Sequence, residues 1–171
     1  RLRYAGIMDA RLAELRQTDD IEAPALPPSL SVDDVLVNES AGTISFTVTL
    51  SAASRQTVSV DFNMVPDSAS AIADFSANGG TLSFAPGVTS LTITVPIVSD
   101  TLFEGNESFL VNLSNAVNAG VADGVGIGTI NDDDQPTISI NDVTQVETNA
   151  GTTAFTFTVS LSNPSALPIS V

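Results

Sequence analysis

From Leu30 onward apolar residues recur at every second position in short runs, a period that fits strands and little else. Leu30 and Val32 alternate, and Val35 and Val37 continue in a shifted register. Phe46, Val48 and Leu50 follow, then Val58, Val60 and Phe62, then Leu82 and Phe84, then Leu91, Ile93, Val95 and Ile97. Phe109, Val111 and Leu113 form a sixth run, and Val125 with Ile127 a seventh. Gly, Pro, Asn and Ser separate the runs, as turns between strands require. The expected fold is all-β: an antiparallel seven-stranded immunoglobulin-like β-sandwich. Aromatics are 5% of the chain and Trp is absent, so Val, Ile, Leu and Phe must fill the core.

Residues 1–29 break this pattern. Met8, Leu12 and Leu15 fall on one helical stripe, and Pro24, Pro27 and Pro28 forbid its continuation. The reading is a short N-terminal helix over about residues 7–17 and then a Pro-rich linker.

An internal repeat sets the organisation. Ser31-Val-Asp-Asp-Val-Leu-Val-Asn-Glu39 matches Ser139-Ile-Asn-Asp-Val-Thr-Gln-Val-Glu147, and Phe46-Thr-Val-Thr-Leu-Ser51 matches Phe157-Thr-Val-Ser-Leu-Ser162. Residues 30–134 are expected to form one complete sandwich and 137–171 the opening strands of a second, incomplete one. Its apolar face would then be covered either by strands beyond Val171 or by another chain through strand addition.

Charge narrows the partners. Asp and Glu number 20 against 5 Lys and Arg, there is no Lys, and only Arg55 follows Arg16. Such a surface repels nucleic acid and anionic lipid and suits a cation. With no Cys and no His, disulfides and thiol chemistry are excluded and zinc or copper is disfavoured. No apolar run approaches ~20 residues, so no membrane insertion is expected in this segment. Nucleophile and general-base options shrink to carboxylates, Ser, Thr and Tyr, and no cleft signature accompanies them; the chain is not expected to be an enzyme.

Strand parity then decides where the carboxylates land. If the first strand runs up, Glu39 caps it at the top, and the loop with Asp74 is also at the top. So are the loop with Asp100 and Glu104, the start of the sixth strand at Glu107, and the end of the seventh at Asp132, Asp133 and Asp134. The connections at the opposite pole carry only Asp123. Carboxylates gathered this way resist ionising together unless a cation neutralises them. Six to eight oxygen ligands in flexible geometry are the demand of Ca²⁺. The set is too rich for one ion, so two or more are expected.

At this point the sequence resembles the Calx-beta domain family, through Val37-Asn-Glu39, Ala73-Asp-Phe75, Gly80-Thr-Leu-Ser-Phe-Ala-Pro-Gly87, Asp100-Thr-Leu-Phe-Glu-Gly-Asn-Glu-Ser-Phe109 and Gly128-Thr-Ile-Asn-Asp-Asp-Asp134. The resemblance implies metal ligands at Glu39, Asp74, Asp100, Glu104, Asp132, Asp133 and Asp134, with a main-chain ligand at Leu102. Glu107 fits the same pattern with a secondary rank. Ser99 stands where the family often has a second Asp, which implies fewer ions or looser binding. Glu147 would belong to the second repeat's own site.

The function expected is a calcium-binding structural repeat of an extracellular or cell-surface protein. Calcium would rigidify the loop pole and the joint to the neighbouring repeat. A calcium-dependent adhesion or ligand-binding module is the alternative, for which Phe75 and Phe103 are the candidate contact aromatics; a regulatory calcium sensor is another. Asn38-Glu-Ser40, Asn106-Glu-Ser108 and Asn112-Leu-Ser114 match the glycosylation sequon.

Overall fold

A computed structural model describes residues 26–171. The helix expected at residues 7–17 lies outside them. Two sheets face each other across an apolar core. One is four-stranded: β6 (Ser90–Pro96), β3 (Thr43–Leu50), β1 (Ser29–Val32) and β8 (Gly120–Asp123). The other is five-stranded: β2 (Val35–Asn38), β9 (Val125–Asn131), β7 (Glu107–Val117), β4 (Val58–Pro66) and β5 (Gly79–Phe84). Alternation drives the layering. In β3, Ile44, Phe46, Val48 and Leu50 turn inward while Thr43 and Ser45 face out.

Among the described residues the sandwich therefore has nine strands, where the sequence pattern predicts seven. Two features account for the difference. The expected first strand is split: β1 pairs antiparallel with β3, then the chain crosses and β2 pairs parallel with β9. Asp33 and Asp34 make the crossing. The Thr47 N–H donates to Asp33 Oδ1 at 2.6 Å, and the Ile127 N–H to Asp34 Oδ1 at 2.7 Å. Each carboxylate satisfies a ladder donor that the departing strand leaves open. A Cβ on Gly126 would stand 2.6 Å from the Asp33 carbonyl oxygen, so the crossing needs glycine there. The second feature is β8, a short strand parallel to β1 in the stretch that the sequence reads as a plain connection. The two parallel pairs also make the sandwich mixed rather than wholly antiparallel.

Phe46, Phe84, Phe109 and Phe75 are all fully buried. Phe75 stacks on Phe109 with ring centroids 4.2 Å apart, and Phe46 meets Phe109 edge-on at 5.8 Å. β9 passes beside these rings at Gly128, where a Cβ would come within 2.8 Å of both Phe109 and Phe46.

Beyond β9 a two-stranded hairpin follows, β10 (Ile138–Ile140) with β11 (Val159–Leu161). It repeats β1 and β3 bond for bond. Ile138 pairs with Leu161 as Leu30 pairs with Leu50. Asn141 Oδ1 accepts the Thr158 N–H at 2.6 Å, as Asp33 accepts that of Thr47. Yet Ile138, Ile140, Phe157, Val159 and Leu161 are exposed where their counterparts are buried.

Candidate metal centre

The acidic residues gather at the end of the sandwich where β2, β6 and β9 finish and β7 begins. Phe75 fixes the long loop between β4 and β5 by plugging into the core, which holds its neighbour Asp74 at the rim. The Ser70 N–H donates to Asp74 Oδ2 at 2.6 Å, and the Asp74 carbonyl accepts the Val98 N–H at 2.9 Å. A 3₁₀ turn at Glu39–Ala41 closes β2 and presents Glu39 inward, where its Oε1 accepts the Asp100 N–H at 2.6 Å.

Two triads result. Glu39, Asp133 and Asp134 each offer a carboxylate oxygen within 4.8 Å of the others, and so do Asp74, Glu104 and Glu107. Asp132 stands between and ties the triads together. Its Oδ2 accepts the N–H groups of Glu104 and Gly105, and its Oδ1 that of Asp134 at 2.8 Å. A small recess lined by Glu39, Asp74, Glu104, Glu107 and Asp132 spans both.

The remaining sequence-predicted residues sit around this pair. Asp100 belongs to neither triad but stands beside Glu39, and its Oδ1 accepts the Leu102 N–H at 2.6 Å. Ser99 is exposed ahead of it. Glu147 is exposed in the second segment and joins neither triad. Ser40 was not foreseen: its hydroxyl donates to Asp133 Oδ2 at 2.6 Å. The signal was its place beside Glu39. Glu107, given a secondary rank by the sequence pattern, lies in the triad with Asp74 and Glu104. Of the two candidate contact aromatics, Phe75 is buried and Phe103 is half-buried.

Burial and mutual repulsion of the carboxylates set the electrostatics of the pole. Burial, a hydrogen bond with Asp74 and repulsion from Asp74, Glu104 and Asp132 push the Glu107 carboxyl up to about 7. Burial also raises Glu39, against the bond from the Asp100 N–H, with Asp100, Asp134 and Asp132 adding repulsion. Glu104 is raised by burial and then by Asp74, Asp100 and Asp132. Desolvation raises Asp134, and Asp133, Asp132 and Asp100 repel it further. Asp132 moves the other way: burial raises it, but the N–H groups of Asp134, Glu104 and Gly105 together outweigh that and lower it. The donor set is oxygen only, without His or Cys, and fits a hard divalent cation.

A β-sandwich with an all-oxygen acidic pole defines a class of cation-binding β modules. Comparison with known proteins names the family: the Calx-beta domain model matches residues 28–142, more than half of the chain. The chain belongs to the Calx-beta domain family. Sodium/calcium exchanger 1 of Mus musculus is 40% identical over 78 residues, covering 45% of this chain and 8% of the exchanger. The chain thus spans under a tenth of that relative. Among solved structures, the calcium binding domain CBD12 of CALX1.1 superposes with a TM-score of 0.60 at 25% identity, covering 66% of this chain and 50% of that one. The apo-form Calx CBD1 domain gives 0.58 at 26%, covering 62% of this chain and 99% of that one. Among the described residues no helix is long and apolar enough to cross a membrane.

Proposed function

We propose that this chain is a calcium-binding structural repeat of an extracellular or cell-surface protein, with calcium rigidifying the loop pole and the joint to the following repeat. The observation that carries it is the pair of carboxylate triads at the end from which the chain leaves through Asp134-Gln135-Pro136. Glu39, Asp133 and Asp134 would hold one ion, and Asp74, Glu104 and Glu107 another. Asp100 and the Leu102 carbonyl would complete the shells, and Asp132 would keep both triads in register. Calcium supplies the positive charge that relieves their mutual repulsion. The likeness to the calcium binding domain CBD12 of CALX1.1 supports the choice of metal.

The test is thermal unfolding of the full chain in chelator, in 10 mM Ca²⁺ and in 10 mM Mg²⁺. A site with a dissociation constant of about 10⁻⁴–10⁻³ M stabilises the folded state by about 1.4–2.7 kcal/mol at that calcium concentration. Calcium should raise the midpoint by several degrees and magnesium by much less. Equal effects of both ions would remove calcium from the account. The identity with an exchanger favours a second reading, a regulatory sensor; micromolar or tighter affinity would select it.

A further inference from the structure

Three features lie outside the acidic pole's own chemistry. The outer face of β2 and β9 exposes Leu36 and Ile127, and the β10–β11 hairpin exposes an apolar face, but nothing near either shows what covers it. The third is the segment after β11, and there the occupant is visible.

Residues 163–167 of the second repeat lie along the loop 101–105 of the first. Phe103 and Ser165 form a parallel β-bridge: the Phe103 N–H donates to the Pro164 carbonyl at 3.1 Å, and the Ala166 N–H to the Phe103 carbonyl at 2.9 Å. The Asn163 side-chain Nδ2 donates to the Thr101 carbonyl at 3.3 Å and also to the Asp134 carbonyl. Its Oδ1 accepts the Ser162 hydroxyl at 2.7 Å, which fixes the amide with its nitrogen toward the two carbonyls. Leu167 packs over Gly105, its Cδ1 3.3 Å from where a Cβ would be.

We infer that the turn Ser162–Leu167 is the docking surface by which the second repeat grips the loop Thr101–Gly105 of the first, with Asn163 as the positioning residue. The geometry gives Asn163 a particular reach. One amide bonds both the loop between Asp100 and Glu104 and the strand end at Asp134, so it spans the two triads from outside. A neighbouring repeat that orders this loop presents its carboxylates already placed, and the ordering cost falls away from ion binding. By linkage, ion binding strengthens the docking to the same degree. This consequence rests on the calcium reading above; the docking itself does not.

The experiment uses the full chain with Asn163→Asp, which sets a carboxylate against two carbonyls, and Ala166→Pro, which deletes the N–H that bonds the Phe103 carbonyl. Thr148→Ala, whose hydroxyl bonds only the nearby Ala150 carbonyl, is the control. Amide hydrogen exchange without calcium reads the docking directly. Phe103 and Ala166 should be protected in the parent and in Thr148→Ala, and both amides should exchange at least about tenfold faster in Asn163→Asp, as Phe103 should in Ala166→Pro. Titration with Ca²⁺ should show affinity falling about five- to tenfold in both variants and unchanged in the control. Unprotected amides in the parent overturn the docking. Protected amides with unchanged calcium affinity in both variants overturn Asn163 as a positioning residue. Altered protection with no calcium binding in any form, the parent included, overturns the calcium reading and leaves the docking standing.

Discussion

Without calcium, the raised carboxyls should make the protein less stable as pH rises from 5 to 8, the reverse of ordinary acid denaturation. Glu107 dominates, since its carboxyl stands near 7 in the folded state against an ordinary 4.5. Between those values the folded chain binds more protons than the unfolded chain, so stability is present below about 4.5 and is lost as pH climbs through about 7. At about 1.36 kcal/mol per pH unit the full difference would reach about 3.4 kcal/mol, an upper bound. The side chain is half-buried rather than enclosed, and solvent screening reduces the effect to about 1 kcal/mol. Glu39 and Glu104 act in the same direction. Asp132 and Asp61, both lowered, titrate below this window and do not mask it. For a domain of this size about 1 kcal/mol moves the melting midpoint by roughly 4–8 °C. Thermal unfolding in chelator at pH 5, 6, 7 and 8 should show that decline, and Glu107→Gln should lose most of it. A flat or rising midpoint in the parent, or an equal decline in Glu107→Gln, would refute the reasoning.

Substitutions at the pole should act by triad. Asp133→Ala and Glu104→Ala should each weaken calcium binding and lower the number of ions bound, as read by equilibrium dialysis; Asp123→Ala, on β8 at the far end, should leave both unchanged. Gly128→Ala should destabilise the sandwich by about 1–3 kcal/mol in urea titration, because its Cβ would press on Phe46 and Phe109 at 2.8 Å.

Much of this was legible because the informative signals are local. Period-two runs give strands directly, and counting strand directions needs only the number of crossings between loops. That count sends Glu39, Asp74, Glu104 and the terminal Asp run to one end, and it survives the splitting of the first strand because β2 continues in the direction of β1. The split itself was hidden. Asp33-Asp34 inside an alternating run looks like a turn or a solvated pair, and its work of accepting the Thr47 and Ile127 N–H groups depends on strands 14 and 93 residues away. β8 was missed for the same reason, being held by its pairing with β1. Glu107 was ranked low because it opens β7, where strand packing competes as an explanation; only the approach of the Asp74 loop, pinned by buried Phe75, makes it a triad member. The grip of Asn163 on the Thr101 carbonyl had no local signal, since the pair is 62 residues apart.

The central claim is that the acidic pole holds calcium, and isothermal titration of the chelated full chain with Ca²⁺ measures it most directly. The account predicts at least two ions per chain with dissociation constants of about 10⁻⁴–10⁻³ M, and stoichiometry falling when either triad loses a carboxylate. No heat of binding at millimolar calcium, together with an unmoved melting midpoint, would contradict it.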